Sequence, residues 1–228
     1  TFIKNSLIVS GVITFAQVVT GALAAYAFAM MEFKGKKVLF YIMLATMMIP
    51  SQAIIIANYL TIADWGIRNT YAALILPNAA AAFAVFNMRQ AFLTLPKEIH
   101  EAAEIDGCTQ ARFFFQIALP LSKAIIAILV LYYGVGHWNS YFSALVYISD
   151  KAKYPLQLVL RNILITNQTA LSQTATTAAA RAALQEKQQL IDVMKYSLII
   201  ISSIPVLVMY PLVQKHFVKG VMIGSMKG

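Results

Sequence analysis

The residues best placed to do chemistry lie in one polar segment, which reads LPKEIHEAAEIDGCTQARFFFQIALPL from Leu95 to Leu121. Four carboxylates stand close together in its first half: Glu98, Glu101, Glu104 and Asp106. Pro96 suits the start of a helix and Gly107 suits its end, so the segment predicts a compact helix over Lys97–Asp106. An apolar ridge of aromatic residues follows, and Pro120 then leads into the next apolar stretch.

This predicted helix offers a surface for binding rather than for catalysis. Glu101 and Asp106 do not form a convincing catalytic pair, because an exposed helix supplies no further reacting group. Ala102 and Ala103 are strong helix formers with little side-chain bulk, so another protein's backbone could approach them closely. The plainer alternative is a solvated loop helix at a membrane surface.

Composition predicts a membrane protein. Of the 228 residues, 60% are hydrophobic and 12% are charged, which is about half the charged fraction of a typical soluble domain. The formal net charge of +9 fits basic loops beside membrane spans. No Gly-rich phosphate loop, RNA-binding signature or zinc-ligand spacing supports a nucleic-acid partner or a metal site. Cys108 is the single cysteine, so no disulfide can form within the chain.

Five apolar stretches are long enough to be candidates for the ~20-residue spanning helix, and none contains Asp, Glu, Lys or Arg. They are Ser6–Met31, Val38–Ala63, Tyr71–Met88, Ala124–Ile148 and Tyr196–Val213. The sequence therefore predicts an all-α, polytopic helical membrane protein.

Basic residues predict its orientation. They follow the first, third and fifth stretches, which the positive-inside rule assigns to the cytoplasm. They include Lys34, Lys36, Lys37, Arg89, Lys97, Arg112, Lys123, Lys215 and Lys219. The segment Ser149–Asp192 is then external, and Thr1 lies outside as well. A start outside the membrane predicts an earlier span, and so six spans in the native protein.

Several motifs together resemble one family. Glu101-Ala102-Ala103, then Gly107, then Ile117-x-Leu119-Pro120 resembles the EAA loop of binding-protein-dependent ABC importer permeases. Other motifs resemble the carbohydrate-uptake branch, which includes the smaller permease of the maltose system. These are Ala25-Tyr26-Ala27-Phe28, Thr46-Met47-Met48-Ile49-Pro50, Asn69-Thr70-Tyr71, Trp138-Asn139 and Phe217-Val218-Lys219-Gly220. Three more are similar to permeases for aldouronates and other complex or acidic oligosaccharides: His137 through Phe142, Tyr154-Pro155-Leu156-Gln157 and Lys219 through Gly224.

The resemblance implies an architecture and a set of site residues. It implies a type I ABC importer transmembrane domain over residues 1–214, with the EAA loop at 95–121, an external loop at 149–192 and a cytoplasmic tail at 215–228. The EAA helix of such permeases sits in a cleft of an ATPase subunit. The coupling contact would here comprise Glu101, Ala102, Ala103, Asp106 and Gly107. The tail residues that would reach the ATPase subunits are Gly224, Ser225, Met226 and Lys227. Trp138 and Asn139 are the candidates for the substrate pathway.

The resemblance also implies partners. These are a second, homologous permease, expected to form a heterodimer, two ATPase subunits and an extracytoplasmic solute-binding protein. The chain itself would bind no cofactor and would not be an enzyme, because ATP and Mg²⁺ are used by the ATPases and the sequence has no Walker A motif. It would be a multi-pass protein of the bacterial cytoplasmic membrane that imports sugars or oligosaccharides, with acidic, uronate-type sugars as one option.

Two rival functions have less support. An ion-coupled secondary transporter or channel usually carries ionisable residues at mid-membrane, whereas these stretches contain no acidic or basic residue. An intramembrane enzyme needs a nucleophile–base pair or a metal cluster inside the spans, and the sequence offers neither.

Overall fold

The computed structural model describes residues 1–171, 189, 193–211 and 214, and every regular element among them is helical. The helices are α1 (Phe2–Met30), α2 (Lys36–Thr46), α3 (Ile55–Asp64), α4 (Tyr71–Ile75), α5 (Ala82–Leu93), α6 (Lys97–Ile105), α7 (Gln110–Phe113), α8 (Leu119–Leu121), α9 (Lys123–Trp138), α10 (Phe142–Tyr147), α11 (Leu156–Leu171) and α12 (Val193–Pro211). A 3₁₀ turn follows α4 at Leu76–Asn78, another lies at Lys151–Lys153, and Phe114–Ala118 is a π-helical turn. The predicted all-α class is confirmed.

Helix α1 is the axis around which the other helices pack. Its 29 residues extend about 43 Å at 1.5 Å per residue, and it packs chiefly against α5 and α9. The approach to α5 is close at Gly21, where an added Cβ would lie 2.8 Å from the Cβ of Ala84. Small residues permit this kind of helix packing inside a membrane. Gly21 is therefore the point at which α1 and α5 approach each other closely.

Two described helices are long and apolar enough to cross a membrane by themselves, α1 and α12. Two bent pairs could each form one further span. In the first pair, α4 with its 3₁₀ turn meets α5 at 44°, and in the second, Gln110–Leu121 meets α9 at 75°. Helix length and composition thus give two to four spans among the described residues, rather than the five predicted.

The missing span is the second stretch, Val38–Ala63, which is not one helix. It consists of α2 and α3, joined by turns from residue 47 to residue 54. Pro50 lies in this break. A proline has no N–H for a helical hydrogen bond and disfavours helical geometry in the residue before it. The expectation that this stretch forms a continuous spanning helix is therefore wrong.

The fourth stretch, Ala124–Ile148, is also interrupted. Helix α9 ends at Trp138, and the short α10 begins at Phe142. The helix that precedes α9 in its bent pair comes from the polar segment itself. The bent pair thus begins 14 residues before, and ends 10 residues before, the predicted stretch (110 against 124, and 138 against 148).

The connecting segments gather at opposite ends of α1. At its C-terminal end, Arg89 Nε donates a hydrogen bond to the Phe28 carbonyl at 3.1 Å, and the rings of Phe28 and Phe40 lie 5.5 Å apart. At its N-terminal end, the Asn5 side-chain amide donates to the carbonyls of Ala152 and Tyr154 at 2.8 and 3.0 Å. The basic loop after α1 and the segment after α10 thus lie at opposite ends of the bundle, as the predicted orientation requires.

The orientation can be tested with two exposed lysines, one at each end. In a Cys108→Ser background, Lys34→Cys should be protected from a membrane-impermeant maleimide in intact cells, whereas Lys151→Cys should react. Both cysteines should react after permeabilisation, which is the control for exposure. Labelling of position 34 but not position 151 from outside would show that the orientation is reversed.

Candidate functional site

The polar segment folds as a short helix, α6, with a defined end. The N–H of Gly107 donates to the carbonyl of Glu104 at 3.0 Å, and the N–H of Cys108 donates to that of Ala103 at 2.9 Å. These two bonds form a Schellman motif, in which the residue after the C-cap adopts a left-handed conformation. Gly107 has φ +72°, so the predicted helix stop is confirmed.

The two alanines of the motif lie on different faces of α6. Ala102 is exposed, as are Glu98, Glu101 and Ile105, the last with 86% of its surface accessible. Ala103 is 8% exposed and belongs to the chain's own core. Consecutive residues of an α-helix point about 100° apart, so the face that packs against the chain takes Ala103 and leaves Ala102 exposed. Ala103, grouped with Ala102 in the predicted ATPase contact, therefore anchors α6 to its own chain.

An aromatic cluster holds the anchored face of α6. His100 meets the ring of Phe113 edge-on at 4.8 Å, and Tyr26 of α1 meets Phe114 in the same way at 5.0 Å. The Tyr26 hydroxyl also donates to Gln110 Oε1 at 2.6 Å. Edge-to-face rings favour fixed relative positions. The loop is thereby attached to α1 through packing and a hydrogen bond.

A π-helical turn connects this loop to α9. Phe114–Ala118 takes that form just before Pro120, and the chain then turns by 75° into α9. Proline removes a helical donor, and π-turns accommodate such irregularities. The turn buries Phe114 against the core and leaves Phe115 63% exposed. The exposed surface of the loop therefore continues from α6 onto this turn.

A second feature is a polar cavity of about 440 Å³ between α1, α4, α9 and α10. Its polar lining comprises Ser6, Gln17, Asn78, His137, Ser140 and Ser143, joined by the rings of Tyr132 and Tyr133. The side chain of Gln17 is buried, and its Oε1 lies 2.9 Å from His137 Nε2. This volume lies within the range of about 300–1,000 Å³ that is typical of small-molecule sites.

The serines, Gly136 and His137 of the cavity were not predicted as site residues. Serines and glycines in apolar stretches carry little signal, and His137 was part of a resemblance motif. Helical spacing could have grouped part of the lining, because Tyr132 and Gly136 lie four residues apart on α9 and Ser140 follows four residues later, beyond its end.

The two predicted pathway residues lie beside this cavity rather than in its lining. Trp138 is 3% exposed, packs against Leu156 and Leu160, and donates from its indole N–H to the Ser202 carbonyl at 2.9 Å. Asn139 lines a separate cleft near α11 and α12. Trp138 thus connects α9 to α11 and α12, while its role in the pathway and that of Asn139 stay predictions.

Other predicted sites lie outside the described residues. These are the tail Gly224–Lys227 and most of the external segment beyond Leu171. In the part of the chain that the structure describes, no cluster of His, Cys, Asp and Glu could hold a metal ion.

Helices apolar enough to span a membrane, an exposed polar helix at one end and a cavity between the helices fit a membrane transport subunit. Residues 17–222 match the model of the family described as binding-protein-dependent transport system inner membrane component, and the chain belongs to this family.

Relatives with described names agree with this assignment. The chain is 39% identical to the protein LplC of Bacillus subtilis (strain 168), over 100% of this chain and 75% of that protein. It is 34% identical to the polygalacturonan/rhamnogalacturonan transport system permease protein YtcP of the same strain, over 99% of this chain and 78% of that protein. The arabinooligosaccharides transport system permease protein AraQ of Halalkalibacterium halodurans is 29% identical over 100% of this chain and 74% of that protein.

A solved structure shares the fold. It is described as the crystal structure of a bacterial ABC transporter involved in the import of the acidic polysaccharide alginate. The TM-score is 0.79 at 24% sequence identity, over 95% of this chain and 74% of that one. The chain is thus a transmembrane permease component of an ABC importer and not an enzyme, and ATP hydrolysis belongs to separate subunits.

Gly107 provides a test of the helix end. Gly107→Val forces a β-branched residue into left-handed geometry, at a cost of about 1–2 kcal/mol. We expect the protein to insert into the membrane but to lose most of its uptake. Gly107→Asn is the control, because Asn adopts this conformation readily and no atom lies within 4 Å of an added Cβ. Equal, normal uptake by both variants in membrane vesicles would contradict this role.

Proposed function

We propose that this chain is one permease subunit of an ATP-driven, binding-protein-dependent importer of oligosaccharides, and that α6 is the helix through which the ATPase acts on it. The observation that carries the coupling proposal is the division of α6 into two faces. Ala103 holds the helix to its own chain, while Glu101, Ala102 and Ile105 stay exposed. A helix that is packed against its own chain on one side and exposed on the other can transmit a displacement from a soluble partner to the rest of the permease.

The exposed face has the composition of a docking site. Ile105 exposes an isolated apolar side chain at 86%, and carboxylates surround it. Apolar side chains ringed by polar ones are typical of protein interfaces. Glu101 and Asp106 would meet basic or amide groups of an ATPase subunit, which uses the ATP and Mg²⁺. The tail residues Gly224–Lys227 are proposed as a further contact with the ATPase subunits.

Oligosaccharides are the proposed substrates. Relatives are named for polygalacturonan/rhamnogalacturonan and for arabinooligosaccharides, so both acidic and neutral sugars occur among them. The cavity within this chain is lined by hydroxyl, amide and aromatic groups, and none of its lining residues is Asp, Glu, Lys or Arg. Family membership assigns the driving force to ATP, so the ion-coupled alternative has no support.

A second permease is supported by the broken stretch between α2 and α3. Helix α2 extends about 16 Å from Lys36, so the turns at residues 47–54 lie near the middle of a bilayer about 30 Å thick. All of these residues are exposed in the single chain. Irregular backbone at that depth is tolerated only when protein or a water-filled cavity covers it. A homologous permease would cover it in a heterodimer in the bacterial cytoplasmic membrane, with the binding protein on the opposite side from α6.

Added bulk on the exposed face tests the docking. We expect Ala102→Phe to leave the permease in the membrane and to weaken its ATPase association about 5- to 100-fold, because overpacking an interface costs about 1–3 kcal/mol. The measurement is co-purification of the ATPase subunits from matched membranes, alongside uptake. Ala152→Phe, at an exposed alanine at the other end of α1, is the control. Normal ATPase recovery with Ala102→Phe would contradict the docking face.

Removing the Tyr26 hydroxyl tests whether α6 transmits a displacement to α1, separately from whether the ATPase binds to α6. Tyr26→Phe keeps the aromatic cluster but removes the donor to Gln110, which is worth about 0.5–1.5 kcal/mol. We expect the ATPase to remain bound while less sugar is imported for each ATP hydrolysed in proteoliposomes. Gln110→Leu should have the same effect, and the double variant should show little further loss. Additive losses would show that the two residues act independently.

A further inference from the structure

We propose that the cavity between α1, α4 and α9 binds a hexopyranose unit, neutral or uronate, of the transported oligosaccharide. This inference rests on the proposed function and adds a binding site within this chain, with its ligand class. The juxtaposition that carries it is a cavity of about 440 Å³ in which amide, imidazole, hydroxyl and aromatic side chains converge beside a glycine.

Two helical stripes form the walls. On α1 the lining residues are Ser6, Val9, Ile13 and Gln17, which recur every three or four positions. On α9 the stripe consists of Tyr132 and Gly136 with Ser140 just beyond the helix end, and Tyr133 and His137 stand beside it. Residues three or four apart share one face of a helix. Regular faces of two helices therefore form most of the cavity, and Asn78, Ser140 and Pro155 from the connecting segments complete its wall.

The aromatic rings supply surfaces for the apolar face of a sugar ring. Tyr132 and Tyr133 lie edge to face at 5.3 Å, and Tyr133 and His137 are nearly parallel at 6.2 Å. Tyr132 keeps 59% of its surface exposed, so its ring is available to a ligand. An aromatic residue with a polar tip suits a ligand that has both C–H faces and hydroxyl edges.

The polar side chains of the cavity can hydrogen-bond to sugar hydroxyls and to a uronate carboxylate without forming an ion pair. The side-chain amides of Gln17 and Asn78 and the hydroxyls of Ser140 and Ser143 can each donate to a sugar oxygen. No acidic residue lines the cavity to repel a uronate, and no Lys or Arg lines it to hold one tightly. Neutral hydrogen bonds are weaker than charge-assisted ones. The site would therefore bind both neutral and acidic rings, and would release them.

Gly136 is a helical glycine without a packing partner among the described residues. A glycine within a helix costs about 0.5–1 kcal/mol relative to alanine, and no described atom lies within 4 Å of a Cβ built at Gly136. Gly11 shares this feature but lies outside the cavity, whereas Gly21 is required by the contact with Ala84. Gly136 lines both the cavity and an apolar cleft towards Val206 and Tyr210 of α12, so a large side chain there would narrow the space on this face of α9, the cavity included.

Filling this space is the test. The complex is co-expressed with its second permease, ATPase subunits and binding protein, and uptake of labelled digalacturonate and of its neutral counterpart galactobiose is measured. We expect Gly136→Leu to retain the partner subunits and ATPase activity and to reduce uptake at least tenfold, with Gly136→Ala in between. Gly11→Leu is the matched control, because Gly11 also has no atom within 4 Å of an added Cβ but lies outside the cavity.

The outcomes separate this site from the proposed function. If Gly136→Leu and the wild type both show normal uptake, the proposed sugar site is wrong and the proposed importer function stands. Loss of partner subunits with Gly136→Leu would instead assign Gly136 to subunit packing and would also overturn the site. A wild-type complex that imports neither sugar would overturn the proposed function and the site with it.

A second measurement avoids dependence on transport. In a Cys108→Ser background, Gly136→Cys in the purified complex should react with a methanethiosulfonate reagent, and the imported sugar should slow the reaction severalfold. Gly11→Cys should react at the same rate with and without the sugar. Equal rates at position 136 with and without the sugar would contradict the site.

Discussion

The close approach of α1 and α5 at Gly21 and Ala84 is the contact on which the positions of the cavity and of the loop that carries α6 depend. An added Cβ on Gly21 would come within 2.8 Å of Ala84, so the two backbones meet with almost nothing between them. Lipid tails are as apolar as the side chains, and helices in a membrane therefore gain little from burying hydrophobic surface. Close van der Waals packing stabilises the helix pair instead, and it requires small residues at the point of contact.

This contact fixes α1 between two regions of the chain. About one and a half turns towards the C-terminal end, Tyr26 meets Phe92 of α5, and its hydroxyl reaches Gln110 at the start of α7. Towards the N-terminal end, Gln17 lies beside His137, and Asn5 holds the segment after α10. A continuous helix transmits a displacement along its length with little loss. The loop that carries α6, the cavity and the segment after α10 are thus joined by one helix of 29 residues.

Sequence alone predicted those features that depend on local chemistry. The ends of α6 follow from Pro96 and Gly107, and the left-handed glycine follows from the helix stop. The stretch Val38–Ala63 was predicted as a span from its apolar length, and whether a helix continues past Pro50 depends on neighbours that satisfy the freed backbone groups. The burial of Ala103 could not be predicted, since it depends on which face of α6 meets Phe113 and Phe114, which is a tertiary contact. The same applies to Trp138, whose partner Ser202 is 64 residues away.

The separation of the charged and uncharged parts of the molecule follows from the work that each must do. The exposed face of α6 carries carboxylates, and it lies at the end of the bundle where water and a soluble partner can pair them. The cavity has no charged lining residue, and a fixed charge there would have to be desolvated or permanently neutralised within the membrane. A transported sugar must also leave the site that it enters, which a strong ion pair would hinder. An importer driven by ATP needs no acidic or basic residue of fixed charge in its pathway, because its energy comes from ATP hydrolysis in separate subunits and not from an ion that moves with the substrate. A cavity lined by uncharged hydrogen-bonding groups is therefore consistent with an importer whose energy comes from ATP hydrolysis in separate subunits.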